Sequence, residues 1–102
     1  MDIVHDGGTL VLAGDFDGRT TMEVRSAIYD HLDGCDQDLV VDISEVPSCD
    51  LTALRVLAAA SRYAALQGRH LRLRGPCPSV HRLLLLSHLN RMVEIERTAA
   101  SA

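Results

Sequence analysis

The sequence predicts a two-layer α/β fold, in which helices cover one face of a mixed sheet of four to five strands. Short apolar segments alternate along the chain with longer segments of helical periodicity, the order expected of strand–helix–strand units. Within most of the short segments, apolar and polar residues alternate, which is typical of a sheet with one buried and one wet face. The chain has 102 residues, of which 47% are hydrophobic, enough for one domain with its own core.

The first half of the chain is predicted to form a hairpin, a helix and a strand. Segments 3–5 and 9–16 flank the turn sequence DGG, which is a signal for a β-hairpin. Thr20 and Glu23 match a capping box, so we expect a helix from there to residue 34. The next strand is expected over 38–44, where apolar and polar residues alternate strictly but for one valine.

The second half is predicted to contain helix 50–67, strand 70–74, helix 79–89 and strand 92–96. The expected buried face of the first of these helices consists of Leu54, Leu57, Ala58, Ser61 and Ala65. Both strand–helix–strand units should be right-handed parallel crossovers. We expect one domain over 1–97, followed by a short disordered tail at 98–102.

Composition and charge exclude several classes of function. The net charge of −4 and the aromatic content of 3% are not those of a nucleic-acid binder, which needs a basic surface and stacking platforms. Lysine is absent, which excludes Schiff-base chemistry and a P-loop lysine. The longest apolar run, 56–60, is too short to span a bilayer, so we expect no membrane insertion and a cytoplasmic location.

The cysteines and histidines do not form a recognisable catalytic or metal-binding pattern. The 3 cysteines lack C-x-x-C spacing and are interpreted as reduced thiols, with Cys49 in a structural role. The 5 histidines lack the spacing of metal ligands. We therefore expect no cofactor and no enzymatic activity, because no nucleophile–base pair or carboxylate pair can be assembled.

Four stretches of the chain resemble the STAS domain family, named for sulfate transporters and anti-sigma factor antagonists. They are LAGDFD at 12–17, LVVDISEV at 39–46, DLTAL at 50–54 and PSVHRL at 78–83, in the family's order. The resemblance implies a non-catalytic, partner-switching regulator that binds a kinase-type anti-sigma factor. The alternatives are an accessory subunit of an ABC-type lipid transporter and a small-ligand or nucleotide sensor. A monomer or weak homodimer is expected.

The start of helix 50–67 is the candidate functional site. Asp50 is expected to cap the helix, and Thr52 then falls in the first turn, where free amides and the helix dipole favour a phosphate. The resemblance places the family's phospho-acceptor directly after the aspartate, where this chain has Leu51. Thr52 is thus either a displaced acceptor or a threonine with a local hydrogen bond. The expected partner-binding residues are Asp15, Asp17, Ser48, Cys49, Asp50, Leu51, Thr52, Leu54 and Leu85.

Leu85 is included because of its position on helix 79–89. At about 100° per residue from Val80, Leu84 shares the buried face and Leu85 points nearly opposite. We expect Leu85 to be more exposed than Leu84 and to be available for an apolar contact with a partner.

Overall fold

The computed structural model describes residues 1–96, and the tail predicted at 98–102 lies outside these residues. The elements are β1 Asp2–Asp6, β2 Thr9–Ala13, α1 Thr21–Gly34, β3 Leu39–Glu45, α2 Leu51–Leu66, β4 Leu71–Arg74, α3 Pro78–Ser87, a 3₁₀ turn Leu89–Arg91 and β5 Glu94–Ile95. Their order is the predicted one.

The sheet contains five strands that lie side by side in chain order. β1 pairs with β2 in the antiparallel sense, and the remaining neighbours pair in parallel. The strand residues with side chains in the core are Leu10, Leu12, Leu39, Val41, Ile43, Leu71 and Leu73, all essentially inaccessible to solvent. Their sequence neighbours, among them Asp42 and Arg72, are partly exposed on the opposite face. The predicted two-layer fold with a mixed sheet is therefore confirmed.

Two predicted strands are shorter in the structure by more than one residue. β2 ends at Ala13 because its register with β3 shifts after Val11, and Gly14 then turns the chain with a φ of +108°. Phe16 keeps only an isolated bridge to Cys49. At the other end, 92–96 is reduced to the two residues of β5, since the chain before it is still coiled in the 3₁₀ turn.

The helix boundaries differ from the prediction in local detail. α3 ends at Ser87, because His88 adopts the left-handed conformation with a φ of 62°. The capping box predicted at Thr20 and Glu23 is wrong. Thr20 precedes α1, but its hydroxyl accepts a 3.1 Å hydrogen bond from the amide of Asp17 and makes no cap. On α2, Ala64 is buried where Ala65 was expected, and Ala65 is exposed.

None of the helices within residues 1–96 has both the length and the apolar character needed to cross a bilayer. No group of three or more His, Cys, Asp or Glu side chains in the same range is arranged to hold a metal ion.

Candidate functional site

The candidate site forms where the loops that follow β2 and β3 meet. These strands are parallel neighbours, so their carboxyl ends lie at the same edge of the sheet. The amide of Phe16 donates a 3.0 Å hydrogen bond to the carbonyl of Ser48, and the amide of Asp50 donates one of 3.3 Å to the carbonyl of Phe16. The buried Phe16 ring anchors the first loop in the core. The two loops therefore form one continuous structure.

Asp50 links this structure to helix α2. One carboxylate oxygen, Oδ1, accepts a 2.8 Å hydrogen bond from the amide of Ala53 and caps the helix, as predicted. The other, Oδ2, accepts a 3.0 Å hydrogen bond from the amide of Gly18 in the loop after β2. A single carboxylate thus fixes the position of that loop relative to the helix start.

The acidic side chains of the first loop are also held in place. The hydroxyl of Ser48 donates a 3.0 Å hydrogen bond to Asp15 Oδ1. Asp17 forms an ion pair of 2.9 Å with Arg19, and this hydrogen-bonded guanidinium holds the pKa of Asp17 below its ordinary value of 3.8. Two carboxylates are therefore presented in a defined arrangement beside the start of α2.

Leu51 and Thr52 form the exposed tip of the site. They are the first two residues of α2, and 38% of Leu51 is accessible to solvent. The first intrahelical acceptor, the carbonyl of Asp50, is bound by the amide of Leu54, so the amides of Leu51 and Thr52 precede the helical hydrogen-bond pattern. This geometry leaves positive partial charge close to Thr52, as expected for a position that accommodates a negative group.

The structure brings seven of the nine predicted partner-binding residues together. Six of them define what we call the α2-start surface: Asp15, Asp17, Ser48, Asp50, Leu51 and Thr52. The seventh, Cys49, lies beneath this surface and is half-buried. Burial raises the pKa of the Cys49 thiol to about 12, with smaller contributions from Cys77 and Asp50. The thiol therefore stays protonated near neutral pH, in agreement with a structural role.

Two predicted partner-binding residues lie elsewhere. Leu54 is fully buried in the core, so its expected partner contact is wrong: one helical turn after Asp50, the helix has rotated its side chain towards the sheet. Leu85 is 50% exposed and Leu84 is fully buried, which confirms their predicted difference. Leu85, however, lines a groove with Arg62 of α2 and Arg91 of the 3₁₀ turn, and does not join the α2-start surface.

Sequence reasoning missed the contribution of the start of α3 and of Cys77 just before it. The hydroxyl of Ser79 donates a 3.3 Å hydrogen bond to the carbonyl of Pro47, and the Cys77 sulfur lies 3.5 Å from the carbonyl oxygen of Val46. The Ser79 hydroxyl also lies 3.3 Å from the Cys77 sulfur, and when it turns from Pro47 to donate to the thiolate it lowers the pKa of Cys77, together with amides of the first turn of α3. The sequence did contain a signal for this lowered pKa, because Cys77 directly precedes Pro78 at the start of a predicted helix, and thiols at helix N-termini have lowered pKa values.

The fold and this loop cluster define a STAS-type domain. The family model described as "Mlab, STAS domain" matches residues 1–94. The chain therefore belongs to the STAS domain family. No curated protein matches the chain in sequence.

Solved structures with the same architecture include anti-sigma factor antagonists. The chain aligns over 98% of its length, and 88% of the other chain, with a Thermotoga maritima protein named as a candidate antagonist, at 20% identity and a TM-score of 0.80. An antagonist from Mycobacterium paratuberculosis gives 22% identity, coverage of 97% and 86%, and a TM-score of 0.76. Unphosphorylated SpoIIAA gives 12% identity, coverage of 98% and 90%, and a TM-score of 0.77. At these identities the comparison shows a shared fold.

Proposed function

We propose that the protein is a non-catalytic partner-switching regulator of the anti-sigma factor antagonist type, acting in the cytoplasm. It binds a kinase-type anti-sigma factor through the α2-start surface. The observation that carries this proposal is the exposed pair Leu51 and Thr52 on a helix start whose flanking loops are tied together by Asp50. A rigid, partly apolar tip with ordered carboxylates beside it is suited to recognition of another protein.

We propose that phosphorylation of Thr52 controls this contact, and the position of Thr52 at the start of α2 supports the proposal. A phosphate there adds about two negative charges and three acceptor oxygens within reach of the free amides of the first turn. The fold accommodates this group, whereas a partner packed closely on Leu51 must desolvate it. Asp15 and Asp50 already make this surface acidic, so a phosphate on Thr52 also increases the negative charge that the partner meets.

A second candidate function is that of a STAS accessory subunit packed on the cytoplasmic ATPase of an ABC-type transporter. The observation that favours it is Leu51, because an apolar residue occupies the family's acceptor position and strengthens a permanent contact. In this case Thr52 is a contact residue and stays unmodified. Sensing of a small ligand or nucleotide is less well supported, since the sequence has no glycine-rich phosphate loop.

The proposal is tested by affinity capture of the tagged protein from its own host's lysate, with mass spectrometry of partners and phosphosites. We expect an anti-sigma factor with an ATPase fold, and phosphate on Thr52 in the unbound pool. Recovery of a transporter ATPase with unmodified Thr52 would establish the second candidate instead.

Matched variants show whether the captured protein is bound through the α2-start surface. Leu51→Asp should abolish capture, whereas Leu86→Asp, on an exposed residue of α3 outside this surface, should leave it intact. Thr52→Glu should weaken capture and Thr52→Val should preserve it. Equal capture by Leu51→Asp and the wild-type protein would contradict the proposed binding mode.

A further inference from the structure

A second exposed feature lies on the helical side of the molecule, away from the α2-start surface. It is an open groove of about 530 Å³, lined by the second half of α2, by α3, by the 3₁₀ turn and by the start of β5. Leu85 and Met92 contribute apolar lining and are 50% and 49% exposed. The groove therefore presents two large, half-exposed apolar side chains within one concave surface.

The polar lining of the groove is basic, although the chain as a whole has a net charge of −4. Arg62 of α2, Arg91 of the 3₁₀ turn and His81 of α3 all line it. Among the described residues, the arginines in ion pairs are Arg19, Arg72 and Arg74, and neither Arg62 nor Arg91 takes part. Neither guanidinium group is therefore paired with a carboxylate of residues 1–96.

The acidic residue that lines the groove, Glu94, does not neutralise these charges. One of its carboxylate oxygens lies 2.7 Å from Nδ1 of His70, and the other lies 3.1 Å from Nε of Arg72. Both contacts direct the carboxylate towards Arg72 of β4 and the residue just before that strand. The groove therefore combines an apolar strip with two arginines that have no ion-pair partner within residues 1–96.

We propose that this groove, formed by Arg62, His81, Leu85, Arg91 and Met92, is a docking site for an acidic amphipathic helix of a partner protein. Apolar side chains of that helix cover Leu85 and Met92, and its carboxylates pair with Arg62 and Arg91. The inference goes beyond the proposed function and does not depend on it, because the groove shares no residue with the α2-start surface. It gives the protein a second contact surface that can remain accessible when the first is occupied.

The test uses a fluorescently labelled synthetic peptide of about 16 residues, with Leu at helical i, i+3, i+4 and i+7 positions and Glu on the other face. Fluorescence anisotropy with the full chain should show binding at least about tenfold tighter than for a scrambled peptide of the same composition, or for one with Lys in place of Glu. Binding should weaken as salt is added. Absence of binding, or equal binding of the scrambled peptide, would overturn the proposal.

Paired variants locate the binding. Leu85→Ala and Arg62→Glu should each weaken peptide binding by about tenfold. Their controls, Leu86→Ala and Arg55→Glu, lie exposed on the same helices outside the groove and should stay within about twofold. Equal effects of the groove variants and the control variants would contradict the assignment of the binding site. If Leu85→Ala fails to fold, the comparison of Arg62→Glu with Arg55→Glu tests the assignment alone. Analytical ultracentrifugation shows whether the chain forms a homodimer. A homodimer that Leu85→Ala dissociates would identify a second copy of the chain as the occupant of the groove and would also overturn the proposal.

Discussion

The amide of Gly18 donates a 3.0 Å hydrogen bond to Oδ2 of Asp50, although the two residues are 32 positions apart in the chain. The other carboxylate oxygen of Asp50, Oδ1, accepts a hydrogen bond from the amide of Ala53 and so caps α2. The same side chain therefore determines both where α2 begins and how the loop after β2 lies against it. We infer that the shape of the α2-start surface depends on Asp50 more than on any other side chain of the surface.

Replacing Asp50 tests this dependence. Asp50→Ala removes both hydrogen bonds and should lower the free energy of unfolding by about 1–2 kcal/mol. Asp30→Ala, on an exposed residue of α1, is the matched control and should change it by less than about 0.5 kcal/mol. Urea unfolding followed by circular dichroism measures both. Equal stabilities of the two variants would show that the Gly18–Asp50 link is dispensable.

Thr52 should tolerate a negative charge in the isolated domain. Thr52→Glu should raise the free energy of unfolding by about 0.3–1 kcal/mol relative to Thr52→Gln, since the carboxylate lies near the positive end of the α2 dipole. The two variants differ in charge and little in size or helix propensity. The difference should shrink in high salt. A less stable Thr52→Glu would mean that Asp15 and Asp50 outweigh the dipole, and that a phosphate here strains the fold.

Substitution of Leu54 should reduce the stability of the fold, whereas substitution of Leu51 should affect only partner binding. Leu54→Ala should cost about 2–5 kcal/mol, because its side chain is fully buried. Leu51→Ala should change stability by less than about 0.5 kcal/mol, because this side chain is partly exposed. Chemical denaturation gives both values, and partner capture should be lost for the folded Leu51 variant. A Leu51 variant that unfolds as readily as the Leu54 variant would place Leu51 in the core.

Cys77 should react with alkylating agents before Cys49. The pKa of Cys77 is lowered by the Ser79 side chain and by amides of α3, whereas burial raises the pKa of Cys49 to about 12. Iodoacetamide labelling followed by peptide mass spectrometry should therefore modify Cys77 at lower pH and faster. Ser79→Ala should shift the labelling profile of Cys77 to higher pH. An unchanged profile would show that the Ser79 contact does not affect the thiol.

Because of His31, the free energy of unfolding should be larger at pH values above 6.5, the ordinary pKa of histidine, than at lower pH. Burial lowers the pKa of His31 below 6.5, and the nearby charges of His5 and Arg69 act in the same direction. The unfolded chain therefore binds a proton in a pH range where the folded chain does not, and stability falls as the pH drops below 6.5. Urea unfolding as a function of pH should show this loss, and His31→Gln should reduce it. An identical slope in the variant would assign the pH dependence to other groups.

Much of the fold could be predicted because it rests on local periodicity. Apolar and polar residues alternate along the strands with the period of an extended chain, and this pattern alone indicates a sheet covered on one face. The difference between Leu84 and Leu85 follows equally from helical geometry. Where prediction failed, as at Thr20, several local hydrogen bonds of similar energy competed, and the packed loop selected one of them.

The sequence by itself determined the order of elements, the cap at Asp50 and the exposed tip at Leu51 and Thr52, because each depends on residues within one or two helical turns. Only the tertiary structure decided that Gly18 binds Asp50 and that Ser79 binds Pro47, 32 residues away in the chain. It also placed Leu85 in a groove with Arg62 and Arg91. The physical reason is the parallel pairing of β2, β3 and β4, which brings loops from distant parts of the chain to one edge of the sheet.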